Sequence, residues 1–212
     1  MQNGKVFLTF VVVMICVLTV WAARRVWPGR AKFDRAPSAA SRSQGPPSAP
    51  YRVVEYMDYE CRHCRNLAAL LLDVFEKNYP DVYLEVRFRP FKGHPRGMRA
   101  AVYADCAARQ GRFWMLHPIL LEKQDEWLSG ADAEALFRGY SRMVRSDEAR
   151  FDACVESEET EKGILAEKGR AESIGVRSTP TVFVNEKMAV GEAAVRDLLA
   201  YSFPEKKAEA KP

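Results

Sequence analysis

The spacing of hydrophobic residues changes twice between residues 51 and 90, and each spacing predicts one element. YRVVEYMD (51–58) is a short apolar run with β-branched and aromatic residues, which predicts a strand. From Cys61 the apolar positions follow helical spacing, and Pro80 ends this helix. The helical stripe consists of Leu67, Leu70, Leu71, Val74 and Phe75, and the alternating residues Val82, Leu84, Val86 and Phe88 then predict a second strand. This order predicts a βαβ unit.

Helical spacing returns over residues 95–174 and predicts several helices, the last of which Gly175 can cap. The chain then reads as strand in PTVFVN (180–185), turns at NEK and continues as MAVG (188–191). A closing helical pattern covers residues 192–203. We therefore predict an α/β domain with an inserted helical subdomain, spanning residues 51–203.

An uncharged apolar stretch, residues 6–23, precedes this domain. At about 1.5 Å per residue it would extend roughly 27 Å, close to the thickness of a bilayer's hydrocarbon core. We predict an uncleaved N-terminal transmembrane helix. The alternatives are a cleaved secretory signal, for which Val20-Trp21-Ala22 is a tolerable but not a good cleavage site, and a buried soluble helix. The remaining segments are a flank at 1–5, a proline-rich tether at 24–50 and a disordered charged tail at 204–212.

The net charge of +4 is unevenly placed along the chain. The first 50 residues carry +6 and the remaining 162 carry −2, so the basic residues flank the apolar stretch. This placement argues against a nucleic-acid-binding role, which needs a basic face on the folded domain. The positive-inside rule would put the domain in the cytoplasm, whereas the cysteine chemistry favours the opposite side of the membrane.

Two cysteines lie two residues apart, Cys61 and Cys64, and several kinds of site use this spacing. A structural zinc site needs four ligands, but the other cysteines are scattered singly and there is no second pair. Covalent haem attachment needs a histidine directly after the second cysteine, where this chain has Arg65. We predict no metal and no other cofactor. A redox-active disulfide and an inert structural disulfide remain.

The predicted elements favour redox chemistry for this pair. Cys61 falls where a strand ends and a helix begins, so its sulfur should lie at the helix N-terminus, where a thiolate is stabilised. Cys64 is then placed to attack a mixed disulfide formed on Cys61. Arg62 and His63 would stabilise the thiolate further, while Glu60 would oppose them. A stabilised thiolate favours the reduced form and makes the disulfide a stronger oxidant.

The chain resembles the DsbA-like thiol–disulfide oxidoreductases, which have a thioredoxin fold interrupted by a helical insertion. The resemblance covers residues 51–203, with the insertion at about 95–174. It rests on Cys61-Arg62-His63-Cys64, on CAARQGRFW (106–114) with His117, on FDACVES (151–157) and on Ser178-Thr179-Pro180-Thr181. This family usually has proline where this chain has Arg62, and often glycine at Ser178. The first departure bears on the redox potential, and neither bears on the fold.

The resemblance also implies roles for three residues outside the cysteine pair. Pro180 would be a cis-proline beside the dithiol, with the backbone of Thr179 offered to a substrate strand; an ordinary trans proline is the alternative. Glu55, six residues before Cys61, would be a buried acid with a raised pKa that exchanges a proton with Cys64. The alternative for Glu55 is a solvent-facing position on the strand.

Cys106 and Cys154 fall on separate predicted helices of the insertion and form a candidate structural disulfide. An oxidising compartment would permit this bond, worth up to roughly 4 kcal/mol on the chain-entropy model. Two free buried thiols are the alternative. Cys16 is expected to be a small membrane residue, and His94 and His117 are expected to pack or cap rather than to catalyse.

We therefore expect a monomeric thiol–disulfide oxidoreductase in the bacterial inner membrane, single-pass, with its domain facing the periplasm or the cell exterior. A soluble periplasmic protein is the alternative if the signal is cleaved, and a trimer formed through the tether is the alternative to a monomer. Thiols of exported proteins would be the substrates, and the resemblance implies reoxidation by a membrane quinone-linked, DsbB-like partner. An oxidase is favoured over an isomerase, because residues 24–50 leave no room for a dimerisation domain. The rival functions are a reductase of the same fold, for instance in cytochrome assembly, and a peptide-binding chaperone with an incidental dithiol.

Overall fold

The computed structural model describes residues 13–19, 42–130 and 132–204. The chain divides into two compact units, Met1–Lys32 and Phe33–Pro212. The elements named below all belong to the second unit.

The first unit is described only over residues 13–19, which form an exposed helix. The other residues of the predicted membrane segment 6–23 lie outside the described residues, as do the predicted flank, the tether up to residue 41 and the tail from residue 205. In the ranges that the structure describes, no helix is both long enough and apolar enough to cross a membrane.

The described strands of the second unit form one sheet in the spatial order β1-β3-β2-β4-β5. In chain order they are β1 (Ser43–Gln44), β2 (Tyr51–Met57), β3 (Val82–Phe88), β4 (Thr181–Val184) and β5 (Lys187–Val190). Strands β2 and β3 run parallel, while every other neighbouring pair runs antiparallel. Helix α1 (Arg62–Lys77) connects the parallel pair, which confirms the predicted βαβ unit.

A helical subdomain separates β3 from β4. Its described helices are α2 (Pro95–Arg109), α3 (Phe113–Glu122), α4 (Gln124–Ser129), α5 (Ala133–Met143), α6 (Glu148–Glu156) and α7 (Glu158–Ser173). After β5 the chain closes with α8 (Glu192–Ser202). The predicted α/β fold with an inserted helical subdomain is therefore confirmed.

Helix α1 buries the stripe that its sequence predicts. Leu67, Leu71 and Val74 are buried against the sheet and α8. The helix ends at Lys77, where the side-chain amide of Asn78 donates to the Val74 carbonyl oxygen over 2.8 Å. The helix thus stops before Pro80, as the sequence predicts.

Strand β3 is buried on both faces, although its sequence alternates apolar and polar residues. Its apolar residues are buried as expected, but Glu85 and Arg87 on the opposite face are also almost fully buried. Arg87 Nε donates to Glu85 Oε1 over 2.8 Å, and Arg52 also pairs with Glu85. Glu85 and Arg87 are thus stabilised by ion pairs and not by water. The alternation of apolar and polar residues in β3 therefore does not mark a solvent-exposed face.

The folded domain begins before Tyr51, the start that the sequence predicted. Ser43 and Gln44 pair with β3, and Arg42 is only 2% exposed. Arg42 Nη2 donates to both carboxylate oxygens of Glu167, at 3.0 and 2.8 Å. Residues 42–50 are therefore part of the fold, and the boundary was missed because a proline-rich composition hides a two-residue edge strand.

Arg42 joins the sheet to the insertion. Its Nε lies 3.6 Å from Asp105 Oδ1 of α2, and its guanidinium lies 4.0 Å from the centre of the Phe88 ring of β3. Glu167 of α7 also accepts a hydrogen bond from the Phe88 backbone N–H over 3.2 Å. Two carboxylates and one cation are thus buried together, with the cation shared between α2 and α7.

A disulfide links Cys106 of α2 to Cys154 of α6 within the insertion. Cys106 is fully buried, and the packing around it includes Tyr103, whose ring lies against Phe137 and Phe151. The insertion is therefore held by a covalent bond as well as by an aromatic core.

Replacing Arg42 with Met is expected to destabilise the domain by about 3–5 kcal/mol, because Glu167 would remain buried without its hydrogen-bonded cation, whereas Asp105 would keep its ion pair with Arg109 at 3.0 Å. Guanidinium denaturation of the full chain measures this. The control is Arg142→Met, which breaks an exposed ion pair with Glu148 and should cost less than about 1 kcal/mol. Equal losses in the two variants would contradict the assigned role of Arg42.

Candidate active site

The cysteine pair lies where β2 gives way to α1. Strand β2 ends at Met57, and Cys61 is the N-cap residue of α1. The backbone N–H groups of Cys64 and Arg65 donate to the Cys61 carbonyl oxygen, over 3.1 and 3.2 Å. The Cys61 sulfur therefore sits at the helix N-terminus, where the dipole and the free N–H groups favour a thiolate.

The two thiols differ in exposure and in pKa, and both are free in this structure. Hydrogen bonding from the Cys64 thiol is the largest cause that lowers the pKa of Cys61 to about 6; partial burial opposes it, and the backbone N–H groups of Cys64 and His63 add to the lowering. Cys64 is completely buried, and this burial raises its pKa well above the usual value. At neutral pH, Cys61 is thus an accessible thiolate and Cys64 a protonated thiol.

The segment before β4 lies directly against Cys61. The Cys61 sulfur lies 3.5 Å from the Thr179 carbonyl oxygen, to which it donates a hydrogen bond when protonated, and the Thr179–Pro180 peptide bond is cis. Strand β4 pairs antiparallel with β2, placing Val182 opposite Glu55. The sheet register thus brings residues 178–181 to the dithiol, although well over a hundred positions separate them in sequence.

Glu55 lies on β2 and is only 2% exposed. Burial is the main cause that raises its pKa to about 8, and the negative charge of the Cys61 thiolate adds to this rise. Its Oε1 has no hydrogen-bond partner among the described residues. A carboxyl group with this pKa is protonated at neutral pH and can give or take a proton near that pH.

Arg62 and His63, which the sequence predicted to stabilise the thiolate, are both largely exposed and paired with carboxylates. Arg62 Nη2 lies 3.9 Å from Asp125 Oδ1, and His63 Nδ1 lies 2.9 Å from Glu192 Oε2. The hydrogen bond to Glu192 is the main cause that raises the pKa of His63. Their positive charges are therefore partly compensated.

Glu192 is a site residue that the sequence did not indicate. It lies at the first position of α8, 129 positions after His63. Besides its contact with His63, Glu192 accepts hydrogen bonds from Asn66 and Arg196. The contact with His63, followed by those with Asn66 and Arg196, lowers the pKa of Glu192 to about 2. Its contact with α1 depends on the return of the chain through β4 and β5, which no local pattern reveals.

Asp58 and His94 also lie at the site. The sequence predicts no role for Asp58 and a packing or capping role for His94. Asp58 Oδ2 lies 2.7 Å from His94 Nδ1 and accepts from the backbone N–H of Phe91 over 2.9 Å. Its Oδ1 accepts from the backbone N–H of Glu60 over 2.9 Å. This carboxylate ties the loop before Cys61 to the loop before α2, so His94 has a structural role here.

His117 lies buried beside the loop before Cys61, with Nδ1 2.8 Å from the Tyr59 hydroxyl and its ring stacked on Phe113. Burial lowers its pKa to about 3, so it is neutral and packs as the sequence suggested. Cys106 and Cys154 are bonded to each other and not to the dithiol. Within the described ranges, no group of three or more potential ligands could hold a metal ion.

Residues 38–201 match the model of the protein family described as Thioredoxin. Among curated proteins, the chain is 34% identical over 158 residues to the Na(+)/H(+) antiporter NhaA 3 of Salinispora tropica, an alignment that covers 74% of this chain and 23% of the antiporter. The chain thus spans about a quarter of the length of the curated relatives it matches.

Solved structures share the fold over nearly the whole second unit. A thioredoxin-like oxidoreductase from Silicibacter pomeroyi superposes with a TM-score of 0.62 at 24% identity, covering 82% of this chain and 95% of that one. The α-DsbA1 protein of Wolbachia pipientis superposes with a TM-score of 0.64 at 18% identity, covering 80% and 94%. The chain therefore belongs to the thioredoxin family and has the DsbA-like fold of its thiol–disulfide oxidoreductases.

Proposed function

We propose that this protein is a disulfide oxidase that transfers a disulfide between Cys61 and Cys64 to the thiols of exported proteins. The observation that carries this proposal is the asymmetry of the pair: Cys61 is accessible with a pKa lowered to about 6, and Cys64 is buried with a raised pKa. A substrate can therefore reach the Cys61 sulfur, whereas the Cys64 sulfur is buried and reacts only with Cys61.

In the oxidised enzyme, a substrate thiolate attacks the Cys61 sulfur. The Cys61–Cys64 bond breaks, a substrate–Cys61 disulfide forms, and Cys64 leaves as a thiolate that takes up a proton. A second substrate thiolate then attacks the substrate sulfur of this mixed disulfide and expels Cys61. The substrate gains a disulfide, two electrons pass to the enzyme, and the stabilised thiolate of Cys61 is a good leaving group.

Glu55 supplies the proton that Cys64 needs. Its pKa of about 8 keeps it protonated at neutral pH, so it carries the proton that is transferred. A proton moving from Glu55 to the leaving Cys64 sulfur would neutralise the buried thiolate and leave a single negative charge on Glu55, because the pKa of Glu55, about 8, lies below the strongly raised pKa of Cys64. The same group would take the proton back when the enzyme is reoxidised.

Substrate would bind against the backbone of Thr179, beside Pro180. The Thr179 carbonyl oxygen already faces the Cys61 sulfur at 3.5 Å. An extended substrate segment lying along residues 178–180 would therefore present its cysteine to Cys61. The exposed side chains of Arg62 and His63, with their carboxylate partners, would border that segment.

Oxidase function is favoured over the rival reductase because of the thiolate. Whatever stabilises the Cys61 thiolate stabilises the reduced enzyme and makes its disulfide more oxidising. The reduced enzyme then needs a two-electron acceptor, and we assign this role to a membrane quinone-linked, DsbB-like partner. Residues 6–23 would anchor the chain in the inner membrane, with its domain in an oxidising compartment, where the Cys106–Cys154 disulfide is stable.

The reduction potential of the Cys61–Cys64 pair tests the direction of electron flow. Equilibrated against glutathione, the full chain is expected to give a value near the oxidising end, about −120 mV. A value near −270 mV would contradict the oxidase and support the reductase. Cys64→Ser is the matched control, because it keeps Cys61 but should only form mixed disulfides with glutathione. If the Cys61→Ser variant still bound its client proteins and remained fully functional, the rival function of a peptide-binding chaperone would be supported instead.

Replacing Glu55 with Gln tests whether Glu55 is buried as a neutral acid. In the disulfide form of both proteins, stability at pH 4 should be similar, because Glu55 is neutral in the folded and unfolded chains. Between pH 4.5 and 8 the unfolded chain loses this proton while the folded one keeps it. The wild type should therefore lose stability relative to the variant over this interval, by up to about 4 kcal/mol, because burial raises the pKa of Glu55 in the disulfide form as well, although the Cys61 thiolate is absent there.

Denaturation curves collected at pH 4, 6 and 8 measure this difference. Glu76→Gln, which removes an exposed carboxylate of α1, is the control and should differ from the wild type by less than about 0.5 kcal/mol at each pH. A stability difference between Glu55→Gln and the wild type that does not change with pH would rule out the proton-donor role.

A further inference from the structure

The carboxylate next to Cys61 faces the first turn of α2. Glu60 precedes Cys61 directly, so its negative charge should oppose a thiolate there. In the structure, Glu60 Oε2 accepts a hydrogen bond from the Gly97 backbone N–H over 2.8 Å. Gly97 lies in the first turn of α2, which begins at Pro95. The charge is thus taken up by the N-terminus of a 15-residue helix.

Gly97 allows this contact because any side chain would block it. A Cβ atom at this position would lie 2.4 Å from Asp58 Oδ1, 2.9 Å from Glu60 Cβ and 3.2 Å from the Glu60 backbone nitrogen. By contrast, a Cβ at Gly139 in α5 would meet no heavy atom within 4 Å. Gly97 therefore differs from Gly139, because only at Gly97 would a Cβ atom collide with the loop before Cys61.

Asp58 holds the same loop from the other side. Its carboxylate accepts hydrogen bonds from the backbone N–H groups of Glu60 and Phe91 and pairs with His94, the N-cap residue of α2. The loop before Cys61 is therefore fixed to the start of α2 at two points, Asp58 and Glu60. The helical insertion thereby meets the thioredoxin fold directly at the dithiol.

We propose that Gly97 is a positioning residue for the dithiol: it lets the N-terminus of α2 approach Glu60 and hold its carboxylate, so that this charge does not oppose the Cys61 thiolate. This inference rests on the proposed function and deepens it, because it concerns the reactivity of the same cysteine. It gives the helical insertion a direct part in setting that reactivity.

Other charged or titratable groups also lie around Cys61. They are Arg62, His63 and Cys64 on α1, Glu55 on β2, Asp58 in the loop, Glu192 on α8 through His63, and Asp125 on α4 through Arg62. Except for Asp58, these groups are held by contacts that do not involve Gly97. The test must therefore separate the charge of Glu60 from a displacement of Asp58.

The test compares Gly97→Ala with Gly139→Ala in the reduced full chain. The measured quantity is the pH midpoint for alkylation of Cys61 by iodoacetamide, located by peptide mass spectrometry. Gly97→Ala should push α2 away from Glu60, free its charge, and move the midpoint up by about 0.5. At pH 5.5 this corresponds to roughly threefold slower alkylation. Gly139→Ala should leave the midpoint unchanged.

Replacing Glu60 with Gln separates the two carboxylates, because glutamine keeps the acceptor oxygen and removes the charge. In the wild-type background, Glu60→Gln should move the midpoint by less than about 0.2, since α2 already holds that charge. In the Gly97→Ala background, it should return the midpoint to the wild-type value. This double-mutant cycle assigns the effect to Glu60, whereas a midpoint that stays high would assign it to Asp58 and overturn the proposal.

A midpoint in Gly97→Ala equal to that in Gly139→Ala also overturns the proposal. If Gly97→Ala does not fold, the Glu60→Gln variant alone tests the proposal. A fall of about 0.5 in its alkylation midpoint would show that the Glu60 charge already opposes the thiolate in the wild type, and would overturn the proposal. Failure of the proposed function is distinguishable from these outcomes. In that case the Cys61–Cys64 pair of the wild type would have the reduction potential of a reductase, or would form no reversible disulfide, whatever the alkylation midpoints of the variants.

Discussion

The placement of one sulfur atom at the start of one helix governs the chemistry of this protein. Cys61 caps α1, so its sulfur lies where backbone N–H groups and the helix dipole favour negative charge. Cys64, one turn into the same helix, is buried where charge is disfavoured. Hydrogen bonding, first from the Cys64 thiol and then from backbone N–H groups at the helix N-terminus, thus lowers the pKa of Cys61, whereas burial raises the pKa of Cys64.

The remainder of the domain supports this placement. The loop before Cys61 is held to α2 through Asp58 and Glu60, and the antiparallel pairing of β4 with β2 brings Thr179 against the Cys61 sulfur. Glu55 lies buried in β2 as a neutral acid. Three distant chain segments therefore meet at the dithiol, and each is fixed by the sheet or by the insertion.

The sequence allowed much of this to be predicted, because the informative signals were local. Periodicity located β2, α1, β3 and the helical insertion, and the two-residue cysteine spacing located the reactive pair. Long-range contacts were missed. Glu192 reaches His63 only after the chain returns through β5, and the need for glycine at position 97 is visible only once α2 packs on the loop before Cys61. Arg42 was assigned to the tether because burial of a lone arginine depends on carboxylates that are distant in sequence.

The most direct test of this account is to determine which cysteine is modified as a function of pH. Reduced full-length protein is treated briefly with iodoacetamide between pH 4 and 10, and the modified peptides are quantified. Cys61 is expected to be alkylated with a midpoint near pH 6, while Cys64 stays unmodified across the neutral range. Alkylation of Cys61 with a midpoint near 9, its ordinary pKa, or comparable alkylation of both cysteines would contradict it.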